Sequence, residues 1–251
     1  MNNEETEVVT EQEAGLDDEV RVKLGFYGGF VKLVQDPSVE IMLLWGFQQP
    51  ILSKPNAYVH QSSLTLHIDA FGHSLSILQS PSSLMAPGVT GSVMWDSGVV
   101  LGKFLEHAVD SKRLHLQGKK VVELGAQVTL TDLPDRMRLL KKNVDTNLKS
   151  TGIMGSGLVS ELIWGEDPDP DMLNPLPDYV LGSDVIYSEG AVTDLLCTLQ
   201  QLCGRHTTVI LSGELRNDAV LEYFLAAAIK YFSIGQVDQM ELHLSTAVIE
   251  L

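Results

Sequence analysis

Apolar and polar positions alternate with a period of two through much of the stretch from Val20 to Pro81, in VRVKLGFYGGFVKLVQ, VEIMLLWGF and AYVHQSSLTLHIDAFGHSLSILQ. Alternation broken by Gly-Gly, Asp-Pro and Lys-Pro-Asn predicts hairpins in a small antiparallel layer. The Ser, Pro and Gly content of SPSSLMAPGVTG marks a loop. In WDSGVVLGKFLEHAVD the apolar residues fall at Val100, Phe104 and Ala108, with Val99 and Leu101 beside them, the spacing of a helix that buries one face.

From Lys119 the pattern changes type. VVEL, VTLTD, DYVLGSDVIY and TTVILSGEL are short, strongly apolar runs that end in polar residues, and helical patterns separate them. Such runs suit parallel strands covered on both faces. DRMRLLKKNVDTNL sets Met137, Leu140, Val144 and Leu148 on one stripe, with Pro134 placed for a first helical turn, and NDAVLEYFLAAAIKYF is rich in Ala and Leu. QVDQMELHL and STAVIEL read as a terminal antiparallel pair. The expected fold is α/β: a Rossmann-like, doubly wound, mainly parallel sheet over residues 91–251, with an N-terminal β elaboration and loop over 20–90. Ligands of such sheets bind outside the carboxyl ends of the strands, which directs attention to Glu123 to Ala126, Asp132, Ser183 to Tyr187 and Gly213 to Leu215.

Composition narrows the function. The formal charge of −16 opposes a nucleic-acid partner, since phosphate contacts need clustered Lys and Arg, and it would welcome a basic protein segment. Much of the excess lies in residues 1–19, acidic without a single base, which read as a disordered tail. No run approaches the ~20 apolar residues of a membrane span. The acidic N-terminus is unlike a basic signal or transit peptide. The expectation is a soluble, cytoplasmic or also nuclear monomer without membrane contact. Cys197 and Cys203 stand six apart in a predicted helix, a spacing for neither a disulfide framework nor zinc, and read as small core residues. The seven His residues form no HxxxH or HxH cluster, so no metal is assigned.

A strand running into E-x-G, followed by a strand ending in Asp, is a common way to hold a nucleoside cofactor. The Gly admits close backbone approach, and the second carboxylate accepts hydrogen bonds from ribose hydroxyls. Here these are Glu123, Gly125 and Asp132. A nicotinamide-dependent dehydrogenase would need G-x-G-x-x-G after the first strand, which is missing from this sequence.

The pieces GSVMWDSGVVLGKFLE, KKVVELG, VTLTDLPDRMRLLKKNVDTN, ELIWG, DYVLGSDVIY and GELRN, in this order and spacing, resemble the seven-β-strand S-adenosylmethionine-dependent methyltransferases. More narrowly they resemble the family 16, methyltransferase-21-like protein lysine methyltransferases, in a version similar to plant members. The resemblance implies S-adenosylmethionine as cofactor and a protein lysine as methyl acceptor. It implies that Trp95 packs by the methionine end of the cofactor, that Glu123 and Gly125 belong to the first cofactor motif, that Asp132 takes the ribose, and that Trp164 lies by the adenine. Ser183 falls on the cofactor side. Asp184 and Tyr187 match the family's D-x-x-Y motif beside the transferred methyl and the substrate amine. Each Trp can equally be an anchoring core aromatic, and Asp184 a helix cap.

One departure from the family stands out. Between Leu124 and Val128 lie only Gly125, Ala126 and Gln127, where family members run through a glycine-rich turn and a helix. Parallel neighbours ordinarily need a crossover of about a dozen residues. The expectation is therefore a truncated first crossover in which VVELGAQVTLTD forms one long strand, an altered hairpin or a disordered region. Impaired cofactor binding follows, and the alternative function is a non-catalytic, shortened variant with at most a partner-binding role.

Overall fold

The computed structural model describes residues 20–47, 56, 58–85, 91–123, 129–150, 157–237 and 245–250. The acidic tail, Gly125 with its neighbours 124–128, and residues 238–244 lie outside the described residues. The elements in chain order are β1 (Arg21–Val22), β2 (Val31–Leu33), α1 (Pro37–Phe47), β3 (Thr65–Ala70), β4 (His73–Leu78), α2 (Asp96–Asp110), β5 (Val121–Glu123), β6 (Thr129–Asp132), α3 (Met137–Ser150), β7 (Leu158–Glu161), α4 (Pro170–Leu173), β8 (Tyr179–Ser183), α5 (Glu189–Leu202), β9 (Thr208–Gly213), α6 (Asp218–Ala228), β10 (Ser233–Gln236) and β11 (Ser245–Glu250).

Among the described residues, nine strands make one sheet in the order β1-β2-β10-β11-β9-β8-β5-β6-β7. Its half from β9 to β7 is parallel, and β11, β10, β2 and β1 continue it antiparallel. The central strands are apolar on both faces because both faces are covered. Val122, Val180, Val209 and Leu211 point into a core closed by Val192, Leu195 and Leu199 of α5 and Phe224 and Ala228 of α6. The alternate positions Val121, Tyr179, Leu181 and Ile210 meet Leu101, Phe104 and Ala108 of α2 on the other face. The stripe read on α3 is realised, with Leu140 and Val144 packing on Leu130 of β6. Helix α3 starts at Met137, so Pro134 sits in the turn leading into it.

Three expectations are corrected. The segment VEIMLLWGF is not a strand but lies in α1, because Asp36 accepts the N–H groups of Ser38 and Val39 at 2.9 and 3.3 Å and Pro37 opens the helix without an N–H to satisfy. Ile41 and Leu44, three apart, bury one face against Leu215. Secondly, β1 and β2 do not belong to a separate layer. They extend the main sheet through β10, and only the β3–β4 hairpin stands apart. Thirdly, β5 and β6 are parallel neighbours, with Val122 opposite Thr129 and Glu123 opposite Leu130. The crossover rule presumes full-length strands, whereas β5 has three residues. The parallel pairing excludes one continuous strand or a hairpin over VVELGAQVTLTD, while the linking residues 124–128 lie outside the described residues.

The hairpin is docked by two asparagines one helical turn apart on α3. Asn143 accepts from the N–H of Leu78 at 2.7 Å and donates to its carbonyl at 3.0 Å. Asn147 does the same with Ser76, at 2.8 and 3.0 Å. Each carboxamide stands in for a neighbouring strand and blunts the exposed edge of β4.

Candidate functional site

Because β5, β6, β8 and β9 run parallel, their carboxyl ends put Glu123, Asp132, Ser183 and Gly213 along one edge. The first turn of α2 closes over this edge. Trp95 occupies the N-cap position with extended backbone, and the preceding Met94 N–H is held by the buried Gln79 side chain at 2.8 Å. A Cβ on Gly98 would lie 3.3 Å from the Met94 methyl and 3.5 Å from the Ser183 hydroxyl, which places the first turn of α2 against Met94 and the end of β8.

Immediately after β8 the chain turns through Asp184 at φ +56°, a left-handed conformation rarely adopted by residues other than glycine. Its N–H donates to the Ser212 carbonyl at 2.8 Å, tying the turn to β9. Its carboxylate receives Arg216 through Nη2 at 2.8 Å and Nε at 3.4 Å. Arg216 also reaches Glu214 at 3.3 Å and sets its guanidinium 4.5 Å from the centre of the Trp95 ring. Asp96, 2% exposed, accepts the backbone N–H groups of Tyr58 and Val59, both at 3.0 Å. Burial alone would lower the Arg216 pKa, but the Asp184 hydrogen bond and charge, then Glu214 and Asp96, raise it overall. Sequence reasoning pointed to the span Gly213 to Leu215, which holds Glu214, but missed Arg216, Asp96 and Gln79 as members of this cluster. The signal was GELRN, where an acid and a base alternate just past a strand end.

Tyr187 is half-exposed, with its ring 6.2 Å from that of Trp164. Trp164 packs against the α5–α6 core, and burial pushes the Tyr187 hydroxyl pKa up. The structure therefore joins Trp95, Asp184 and Arg216 in one contact group and Trp164 with Tyr187 in a second. Beneath Asp184 a cavity of about 80 Å³ is lined by Ser212, Leu215, Phe224 and Glu40.

Asp132 stands elsewhere along the edge. Its Oδ1 accepts the Leu133 N–H at 2.8 Å, and a Cβ on Gly91 would come within 3.2 Å of Oδ2. Burial raises its pKa, opposed by the Leu133 N–H and the Arg136 charge. For an acid whose folded pKa is raised, the stabilising contribution is present below the unfolded pKa and is lost as pH rises through the folded one. Asp132→Asn is accordingly expected to raise the melting temperature of the ligand-free protein at neutral pH, with the gain disappearing below about pH 4. Equal gains at both pH values would remove the burial argument. Glu123 is buried, and its carbonyl accepts the Thr131 hydroxyl at 2.7 Å, which ties the tip of β5 to β6. A cavity of about 490 Å³ opens beside the end of β7, lined by Glu161, Leu162, Ile163, Glu166 and Asp167. Its volume is within the range of small-molecule sites.

Comparison with known proteins gives this edge a context. Residues 75–229 match the family model described as lysine methyltransferase. Protein N-lysine methyltransferase METTL21A of Danio rerio is 34% identical over 218 residues, covering 79% of this chain and 91% of that protein. EEF1A lysine methyltransferase 3 of Mus musculus is 35% identical over 167 residues, covering 61% and 67% respectively. The family match spans more than half of the chain and takes in Trp95, Asp132, Trp164, Asp184 and Arg216; the chain belongs to the lysine methyltransferase family.

Proposed function

We propose that this protein transfers a methyl group from S-adenosylmethionine to the side-chain amine of a lysine in a protein substrate. The observation that carries the reading is the Asp184 carboxylate, fixed at the end of β8 within a group that includes the Trp95 ring. The residues fit the cofactor. The tip of β6 presents, in Asp132, a carboxylate of the kind that accepts ribose hydroxyls, with Gly91 close beside it. When bound, the cofactor supplies a sulfonium methyl for in-line displacement.

The protein's own part is alignment and charge. Asp132 would hold the ribose, with Glu123 keeping the adjoining strand tip in register. Trp95 and Ser183 would border the methionine end, and Trp164 would brace Tyr187. Asp184 would orient the acceptor lysine, which gives up its proton to solvent so that the neutral amine displaces the thioether from the methyl, and the Tyr187 ring face would favour the methylammonium that forms. The similarity to enzymes named for lysine methylation favours this reading over a non-catalytic shortened form. A basic segment around the acceptor lysine fits the acidic edge.

The test is transfer of tritiated methyl from S-adenosylmethionine to a hypomethylated protein extract supplemented with EEF1A, followed by acid hydrolysis. Label in Nε-methyllysine is expected. No label, or label confined to other products, would overturn the reading.

A further inference from the structure

Two carboxylates contact one guanidinium at the end of β8 and β9, and a third, Asp96, adds its charge to their surroundings. Arg216 bonds Asp184 at 2.8 Å and Glu214 at 3.3 Å. The Asp184 and Glu214 side chains are only 12% and 9% exposed, so solvent screens them little. With one resident cation the group keeps two formal negative charges. Methyl transfer to lysine brings two cationic groups to one place, the sulfonium of the donor and the acceptor nitrogen, which arrives as an ammonium, loses its proton to solvent before attack and leaves as a methylammonium.

We infer that Arg216 is a positioning residue for methyl transfer: it clamps the Asp184 carboxylate, rests on Trp95, and sets the negative charge of the site to match these two cationic groups. The inference rests on the reading of the site given above. The fork of Arg216 is suited to the task, since Nε and Nη2 meet the two oxygens of Asp184 while the plane of the group lies near the Trp95 ring. The carboxylate of a left-handed residue is thereby held in one direction. Without Arg216 the site would lose one positive charge beside Asp184 and Glu214. It would bind a cation more tightly while leaving Asp184 free to turn. Glu214 acts in the opposite sense, because its loss leaves one net negative charge.

The test compares two ligands that differ in charge at the reacting position. Sinefungin carries an ammonium where S-adenosylhomocysteine carries a neutral thioether, so the ratio of their dissociation constants isolates the charge of the site from general binding. Both are titrated calorimetrically into the wild-type chain, Arg216→Met and Glu214→Gln, with melting temperatures recorded alongside. Met keeps an apolar stem over Trp95 and removes the charge. The preference for sinefungin over S-adenosylhomocysteine is expected to rise about tenfold in Arg216→Met and to fall about tenfold in Glu214→Gln. A merely structural Arg216 would weaken both ligands alike and leave the ratio unchanged, and that result, or a lower ratio in Arg216→Met, overturns the inference. Should Arg216→Met fail to fold, Arg216→Gln takes its place with the same expected rise and the same overturning result. A wild-type chain that binds neither ligand overturns this inference together with the cofactor reading; wild-type binding with an unchanged ratio overturns this inference alone.

Discussion

Asp184→Ala is expected to lower kcat/KM for methyl transfer by about 10²- to 10³-fold, the largest functional loss of any single substitution in this chain. The substitution removes the group that orients the acceptor amine. It also leaves the Arg216 guanidinium paired with Glu214 alone among its direct carboxylate partners, next to where two further cationic groups must gather. The loss should appear mainly in kcat, with cofactor affinity changed by a smaller factor. Asp184→Gly separates chemistry from backbone strain. Glycine adopts φ +56° freely, so it should be as inactive as alanine but more stable by roughly 1 kcal/mol. Initial rates together with urea denaturation of the two variants check both statements. A rate within threefold of wild type in Asp184→Ala would remove Asp184 from the reaction.

The largest effect on stability is expected at Phe224. Its side chain is 1% exposed, belongs to the core under β8 and β9, and already borders the cavity of about 80 Å³. Phe224→Ala is expected to cost about 3–5 kcal/mol, since the lost contacts are joined by the cost of a cavity that cannot collapse around a rigid sheet. The denaturation midpoint should fall while the slope of free energy against urea stays unchanged. A loss under about 1 kcal/mol would mean that α6 closes onto the sheet. Because the enlarged cavity would run up to Asp184, the variant would also report whether the turn holding that carboxylate depends on the core beneath it.

Where the signal was local, the chain was legible. β8 and β9 announced themselves by unbroken apolar runs, because a strand buried on both faces has no polar face to show. The α3 stripe followed from spacing alone. Helix α1 was misread because apolar residues fill most of its positions, which erases the period that separates helix from strand; Asp36-Pro37, the cap and first residue, was the decisive feature and was taken for a turn. Membership of β1 and β2 in the main sheet depends on β10, some two hundred positions away, and no local pattern encodes such pairing. That β5 and β6 lie parallel rather than as one strand or a hairpin was unreadable for a related reason: it hangs on the length of β5 and its register with β6.

Among the candidate residues, those at strand ends were singled out by position, Asp132 and Asp184 among them. Arg216 was not singled out. Its partner Asp184 lies thirty-two positions earlier, and only the adjacency of β8 and β9 brings the two together.

The placement of β11 has a consequence for how the chain is made. It occupies the slot between β9 and β10, and both of these precede it in sequence. Its first residue, Ser245, follows the end of β9 at Gly213 by thirty-two positions, a delay of roughly 2 to 6 s at about 5–20 residues per second of translation. During that interval the apolar edge of β9 stands open on the ribosome, and an open strand edge can pair with another chain as readily as with its own. The nascent protein is therefore expected to be most prone to aggregate in the seconds before β11 emerges.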